Sequence, residues 1–321
     1  MTSTQWVKQK KYLNQEDYQQ ISELQRECID ADGVALKLEL DYKLAVTETD
    51  QDKYDNNEIN EFMFFDEQKL IGYIGIGSFG GTGMPLEITG MVHPAYRNQG
   101  IFTALHKFVM NECRSRNARE VLLLCDKKSI SGQGLIQKLD TEYDHSEYEM
   151  YLLGDAPVIV EGLLCGIKLC KATNSDAFEI ARQNAIYFED PLPNEEEIMA
   201  LLGKINSGEE LELEDTLLPE VEEKRGMQIY LAYKDDKIVG KIHLETNSQV
   251  SGIYGLGVLP EYRGKGYGRA ILLKGIKIMK ESGIKNIMLQ VEAENSTALG
   301  LYTSCGFVET STMDYVRLIK G

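Results

Sequence analysis

A long-period repeat constrains this chain more than any other feature. Residues 91–105 read MVHPAYRNQGIFTAL, and 166 positions later residues 257–271 read GVLPEYRGKGYGRAI. Val92, Pro94, Tyr96, Arg97 and Gly100 thereby match Val258, Pro260, Tyr262, Arg263 and Gly266. The flanks agree: FMFFDEQKLIGYIGIG and IYLAYKDDKIVGKIHL each read as strand, polar turn and strand. KKYLNQEDYQQISELQREC and IKLCKATNSDAFEIARQNA each read as a short strand followed by a helix capped by Asn14 or Asn174. Two copies at so long a period predict duplication of a whole α+β domain, not a solenoid. The length of 321 residues suits two domains. The joint is expected near DAPVIVEG, giving domains at 1–155 and 165–321.

Charge and cysteine usage exclude several classes. There are 34 Lys and Arg against 51 Asp and Glu, a formal net charge of −17. Nucleic-acid backbones and anionic membranes both demand a surplus of cations, so neither is expected as a partner. The six cysteines, at 28, 113, 125, 165, 170 and 305, show no CxxC spacing, and the four histidines, at 93, 106, 145 and 243, show no metal spacing. No metal and no disulfide scaffold is expected. The start lacks an apolar core of signal-peptide length, and no stretch reaches the ~20 apolar residues of a membrane span. A cytoplasmic location is expected.

In the second half, Val258 closes an apolar strand and Pro260 ends it. Arg263-Gly264-Lys265-Gly266-Tyr267-Gly268 then leads into a helix that runs to about Ser282 and stops at Gly283. Such glycines let a backbone approach a ligand, and the first amides of the helix are left free, which together make an anion site. Lys265 and Arg269 add mobile charge. Alone, this pattern fits a glycine-rich turn beside a solvated helix equally well. A second motif follows in IMLQVEAENSTALGLYTSCGF: a short strand, a helix starting at Ser296 or Thr297, and Cys305-Gly306-Phe307 opening the last strand.

Both segments resemble the GNAT acetyltransferases, the first in Val258-x-Pro260-x-Tyr262-Arg263-Gly264-x-Gly266-x-Gly268. The second does so in Asn295-x-x-Ala298-x-x-x-Tyr302-x-x-x-Gly306-Phe307. The resemblance covers the whole second half and, more loosely, the first. It implies two tandem domains, each a mixed, mostly antiparallel sheet flanked by helices. It implies acetyl-CoA as co-substrate, with the pyrophosphate on Arg263, Gly264, Lys265, Gly266, Tyr267 and Gly268, and the pantetheine arm along Leu256, Gly257 and Val258. Asn295 would contact that arm and Tyr302 would sit near the sulfur. A strand-end amide such as that of Val258 can serve a developing oxyanion, and a tyrosine hydroxyl can protonate the departing thiolate. As packing alone, Tyr302 is a core aromatic and Asn295 a helix cap. The strand SGIYGLGV holds no acidic residue where many relatives carry a glutamate, so Glu292, Glu245 or a water relay is left as the proton acceptor.

The implied activity is N-acetylation of a primary amine, either a small cationic amine or a peptide amino terminus, by a monomer or homodimer. The segment ENSTALGLYTSCGF is similar to ribosomal-protein N-acetyltransferases, and the tandem organisation to mycothiol synthase. Many small-molecule enzymes share the former, and two fused copies do not specify the latter's substrate. The competing class is a non-catalytic acyl-CoA-binding or sensing protein, which would keep the glycine loops and lose the chemistry.

The first half reads as a degenerate copy. Its loop, Arg97-Asn98-Gln99-Gly100-Ile101-Phe102, places Phe102 where Gly268 stands. Matching Tyr143 to Phe307 puts Ser131 and Lys138 at the Asn295 and Tyr302 positions. A structural or substrate-shaping role is therefore expected. Gly75-Ile76-Gly77-Ser78-Phe79-Gly80 fits the dinucleotide pattern GxGxxG, but a turn and strand follow it in place of a helix. Between Glu189 and Glu223 stand thirteen acidic residues and one basic residue, Lys204. This run is either a solvated face or an acidic rim that concentrates cationic amines, and residues 47–61 have the same character. Asn194 and Glu197 within the run form a capping box that opens a helix to about Leu202.

Overall fold

The computed structural model describes residues 4–45, 58–77, 85–154, 164–188, 192, 194–207, 218–246 and 250–319. The chain divides into two compact units, Met1–Glu147 with Ser311–Gly321, and Tyr148–Thr310. Both are α+β, as the repeat predicts.

In unit 1, β1 (Gln5–Lys10) leads into α1 (Gln15–Asp32) and α2 (Leu40–Ala45). Strands β2 (Glu61–Asp66), β3 (Lys69–Gly77) and β4 (Leu86–Val92) follow, then α3 (Ile101–Ser115), β5 (Val121–Asp126), α4 (Ile130–Ile136) and β6 (Thr141–Leu152). The order β1-β2-β3-β4 is antiparallel throughout. β5 lies parallel to β4, and residues 313–317 of the final strand pair antiparallel with β5. Asn14 caps α1, as its sequence predicts, and Asp17 completes the cap as a capping box.

In unit 2, β7 (Lys168–Lys171), α5 (Ala177–Phe188), α6 (Glu195–Ser207) and α7 (Pro219–Lys224) precede β8 (Met227–Lys234), β9 (Lys237–Glu245) and β10 (Val250–Val258). Then come α8 (Tyr267–Glu281), β11 (Asn286–Glu292), α9 (Ser296–Ser304) and β12 (Phe307–Leu318). β7 to β10 are antiparallel neighbours and β11 joins β10 in parallel. The β8–β9 hairpin closes with Asp235 and Asp236 both at positive φ, the conformation of a two-residue turn that follows the strand twist. Asn194 and Glu197 exchange the hydrogen bonds of a capping box at 2.8 Å, and α6 runs past Leu202 to Ser207. Ahead of α5 the cap is Thr173, closed by Asp176, and not Asn174; Asn174 hydrogen-bonds Glu220 instead.

α8 buries Ala270, Ile271, Leu272, Leu273, Ile276 and Met279 against Ile242, Leu244 and Val239 of the sheet. At roughly 1.5–3 kcal/mol for each large side chain fully removed from water, this face anchors the helix. Gly275 admits the closest approach, since a Cβ there would lie 2.7 Å from Ile242 Cδ1. Met150 and Leu152 of β6 belong to this same core, whereas Val316 and Leu318 of β12 belong to the core of unit 1. The compact units therefore part inside β6 and β12, while the sequence repeat places its joint at 155–165. No helix among the described residues is long and apolar enough to cross a membrane.

Candidate functional site

The site in unit 2 begins where two parallel strands separate. β10 pairs with β11 from Val250↔Asn286 to Ile253↔Leu289, then continues alone on that side to Val258. Its other edge stays on β9, after an irregularity between Tyr254 and Gly257 where Gly255 takes φ 55°. Leu259 donates its N–H to the Val239 carbonyl at 2.9 Å. Strand alternation then turns the Val258 N–H to the opposite edge, the one that β11 has left.

After a 3₁₀ turn at Pro260–Tyr262, the chain passes Gly264 and Gly266 at φ 75° and 78°. Gly266 is the cap residue of α8 and brings no side-chain hydrogen bond to the helix end. The first amides of α8 are thus available to an anion. A Cβ at Gly264 would meet nothing within 4 Å, and one at Gly268 would make only ordinary contacts, 3.5 Å to Leu301 Cδ2 and 3.6 Å to Val258 Cγ2. The protein's own packing does not require glycine at 268, and the space there is free for a ligand. Strand edge and helix end together suit an amide-bearing arm that ends in phosphates.

The remaining expected residues fall in several places. Arg263 holds the loop, its Nε donating to the Val258 carbonyl at 3.0 Å, and the rest of its side chain is exposed. Lys265 is exposed, its ammonium bonded to the Glu261 carbonyl at 3.0 Å and over the Tyr262 ring. Leu256, Val258 and Tyr267 pack partly buried on the core. Asn295 caps α9, its Oδ1 accepting from Ala298 N–H at 3.0 Å. Tyr302 lies one face along that helix, with its ring edge-on to Phe307 at 6.2 Å. Burial pushes its hydroxyl up to about 12, so it keeps its proton through the neutral range. The hydroxyl makes no hydrogen bond to another described residue. Glu292 is exposed at the end of β11, and Glu245 accepts the Gly252 N–H at 3.1 Å. Seven of the thirteen acidic residues of the run 189–223, and residues 47–57, lie outside the described residues.

Three residues of this site were not anticipated from the sequence. A Cβ at Gly257 would overlap the ring edge of Tyr187 at Cδ2 and Cε2, so α5 covers β10 at that point. Lys241, fully buried, lies 5.7 Å from the Tyr187 ring, bonds the Gly255 carbonyl at 3.0 Å and meets His243 Nε2 at 3.1 Å. Burial and the Lys241 charge hold His243 well below the usual imidazole range. The visible signal was alternation: in KIVGKIHLE, Lys241 and His243 share a face opposite Ile242 and Leu244.

Unit 1 holds the same geometry. β4 pairs with β5 only over Leu86–Ile88, and Arg97 Nε donates to the Val92 carbonyl at 3.1 Å as Arg263 does to Val258. Its guanidinium is then closed off by Asp32 at 2.7 Å. Beyond the split lies a cavity of about 950 Å³, lined among others by Val92, Gly100, Phe102, Cys125 and Ile136. The sequence treats this half as a worn copy, yet its cleft is open. Ser129, not Ser131, caps α4, bonding Gly132 N–H at 3.1 Å, and β6 opens at Thr141. The constant spacing of 166 therefore carries through, and Ile136, not Lys138, occupies the place of Tyr302. No hydroxyl stands there in either reading.

The model of the Acetyltransferase (GNAT) family matches residues 19–140 and 195–307, once in each repeat and over more than half of the chain. The chain belongs to the GNAT acetyltransferase family. Mycothiol acetyltransferase of Renibacterium salmoninarum is 38% identical over 78 residues, 22% of this chain and 23% of that protein. The chain thus spans under a quarter of the length of this curated relative. A GCN5-related N-acetyltransferase from Sphaerobacter thermophilus superposes with a TM-score of 0.71 at 18% identity, covering 97% of this chain and 95% of that one. A tandem GNAT protein from the clavulanic acid biosynthesis pathway gives 0.67 at 11% identity, covering 98% of each. At these identities the likeness is one of fold, and it is the tandem α+β fold that the repeat predicts.

Proposed function

We propose that unit 2 transfers an acetyl group from acetyl-CoA to a primary amine, borne by a small cationic molecule or a peptide amino terminus. One observation carries the reading: a strand edge freed beyond Ile253 runs directly into a helix N-terminus whose cap glycine leaves the amides open. The repeat that carries this activity is read as 165–321, with 1–155 as its degenerate copy.

Bound acetyl-CoA would supply a thioester that an amine attacks at the carbonyl carbon, with a thiolate leaving. The residues of the chain bind and orient. Gly264, Lys265, Gly266, Tyr267 and Gly268 present amides and charge to the pyrophosphate, and Arg263 holds their loop in shape. Leu256, Gly257 and Val258 pair through their backbone with the amide-bearing arm, and Asn295 caps the helix beside it. The Val258 N–H, turned to the vacated edge, donates to the carbonyl oxygen as its charge grows. Tyr302, protonated and with no acceptor among the described residues, gives its hydroxyl proton to the sulfur and regains one from the nitrogen of the new amide. Glu245 or Glu292 receives the proton of the incoming ammonium, directly or through water. Glu245 is held in place by the Gly252 amide.

The test is thiol release from acetyl-CoA across a panel of cationic amines and amino-terminal peptides. Release with one amine class supports the reading and names the acceptor. Binding of acetyl-CoA without release for any acceptor would make the chain a sensing module and refute it.

A further inference from the structure

The two units differ where β4 and β10 meet their antiparallel neighbours. In unit 1, β3 and β4 pair without a break from Gly72↔Val92 to Gly77↔Glu87. In unit 2 the equivalent ladder starts alike, with Gly240↔Val258 and Lys241↔Gly257, but the next pair is His243↔Tyr254. Two steps along β9 thus answer three along β10, which is a β-bulge with one extra residue. Gly255 lies within it at φ 55°. Matching the two ladders from Gly72 and Gly240 puts Tyr73 where Lys241 stands. Tyr73 turns its hydroxyl to Glu61 of β2.

Lys241 serves the bulge instead. The side chain is fully buried, and its Nζ donates to the Gly255 carbonyl at 3.0 Å. Nζ also meets His243 Nε2 at 3.1 Å, and the Tyr187 and Phe188 rings of α5 stand 5.7 and 5.3 Å from it. A Cβ on Gly255 would lie 3.0 Å from both Nζ and the His243 ring, so the bulge sits directly on this pair. Burying an ammonium is expensive, and a methionine would fill nearly the same volume without that cost. What methionine lacks is the donor. The peptide plane carries the effect across the strand. The Gly255 carbonyl and the Leu256 N–H belong to one planar trans unit and point in opposite directions. Fixing the carbonyl on the β9 side fixes the Leu256 N–H toward the edge that β11 has left after Ile253. A cation on the carbonyl also polarises the amide at its other end and strengthens it as a donor.

Resting on the reading of unit 2 as an acetyltransferase, we propose that Lys241 is a positioning residue for the transfer. It holds the Gly255 carbonyl so that the Leu256 N–H grips the amide-bearing arm and keeps the thioester in line for attack. Affinity comes chiefly from the loop at 264–268, and orientation from this strand. Unit 1, which has no hydroxyl at the place of Tyr302, has neither the bulge nor the lysine.

The experiment compares wild type, Lys241→Met and Lys241→Arg as full chains. It reads kcat and KM for acetyl-CoA in thiol release, melting, and hydrogen exchange at the Leu256 amide with and without CoA. Lys241→Met should melt within about 3 °C of wild type or higher. Its kcat should fall about 30-fold or more while KM rises less than about fivefold, the pattern of lost orientation and not of lost uniform binding. CoA should protect the Leu256 amide from exchange in wild type and not in Lys241→Met. Lys241→Arg, which keeps a cationic donor, should recover part of both. Unchanged kcat in Lys241→Met, or equal protection of Leu256, would overturn the proposal. So would a melting temperature several degrees lower, which would make the ammonium a part of the fold alone, or Lys241→Arg no more active than Lys241→Met when both melt as wild type does. Wild type that protects Leu256 with CoA yet releases no thiol for any acceptor would refute the transfer reading, and the exchange comparison would still decide the role of Lys241. No protection by CoA in wild type would overturn both.

Discussion

Replacing Gly268 with aspartate should act in opposite directions on the empty and the loaded protein. Position 268 is the second residue of α8, and its backbone is not in the left-handed region. An added Cβ makes only ordinary contacts at 3.5 and 3.6 Å, so the side chain fits. Aspartate is a few tenths of a kcal/mol better than glycine in a helix and gains roughly 0.3–1 kcal/mol from the dipole in the first turn. The empty protein should therefore melt about 1–3 °C higher. A diphosphate on the same amides would face a like charge. Coulomb repulsion of about 4 kcal/mol at 4 Å and an effective dielectric of 20, halved for partial exposure, leaves ~2 kcal/mol per phosphate charge. Two charges at somewhat unequal range give roughly 2–4 kcal/mol, or about 30- to 900-fold in affinity. The assay is the KM for acetyl-CoA in thiol release at low salt, beside melting of the unliganded protein. A variant that melts several degrees lower, or one whose KM stays within threefold of wild type, would refute the placement of phosphate at this helix end.

Gly257→Ala should destabilise by roughly 1–3 kcal/mol in denaturant unfolding, because its methyl collides with the ring edge of Tyr187. The double variant with Tyr187→Ala should lose less than the sum of the singles by at least about 1 kcal/mol. Additive losses would mean that the two do not touch. His243 gives a pH signature. It stays neutral when folded but takes a proton below about 6.5 when unfolded, so stability falls as pH drops through that value, by up to ~1.4 kcal/mol per unit. His243→Gln should flatten the decline between pH 7 and 5, and parallel curves for variant and wild type would contradict the buried, neutral assignment.

Much of this was legible because the chemistry demands rare backbone conformations. Only glycine serves readily at φ 75° and 78°, so Gly264 and Gly266 announce the loop, and Gly283 at φ 84° marks the helix end. Capping boxes at Asn14–Asp17 and Asn194–Glu197 are local, and local signals survive folding. What escaped was non-local. That residues 313–317 pair with β5 depends on strand register between segments nearly 190 positions apart, which no local pattern records. The cleft in unit 1 arises from two parallel strands parting after Ile88, a matter of backbone direction and not of residue type. Aligning on the aromatic Tyr143 displaced the second motif by two positions, whereas the cap at Ser129 gives the register directly. Tyr187 met Gly257 unforeseen because the match of a missing side chain to an incoming ring becomes visible only in three dimensions.

The most direct test of the central claim is Tyr302→Phe, assayed for acetyl-CoA binding, for melting and for turnover with the acceptor that the panel identifies. The hydroxyl bonds to no other described residue, so its removal should leave melting and binding within error of wild type. Loss of a positioned acid should lower kcat about 100-fold or more. Full activity in the variant would contradict the account, since the thiolate would then leave without Tyr302.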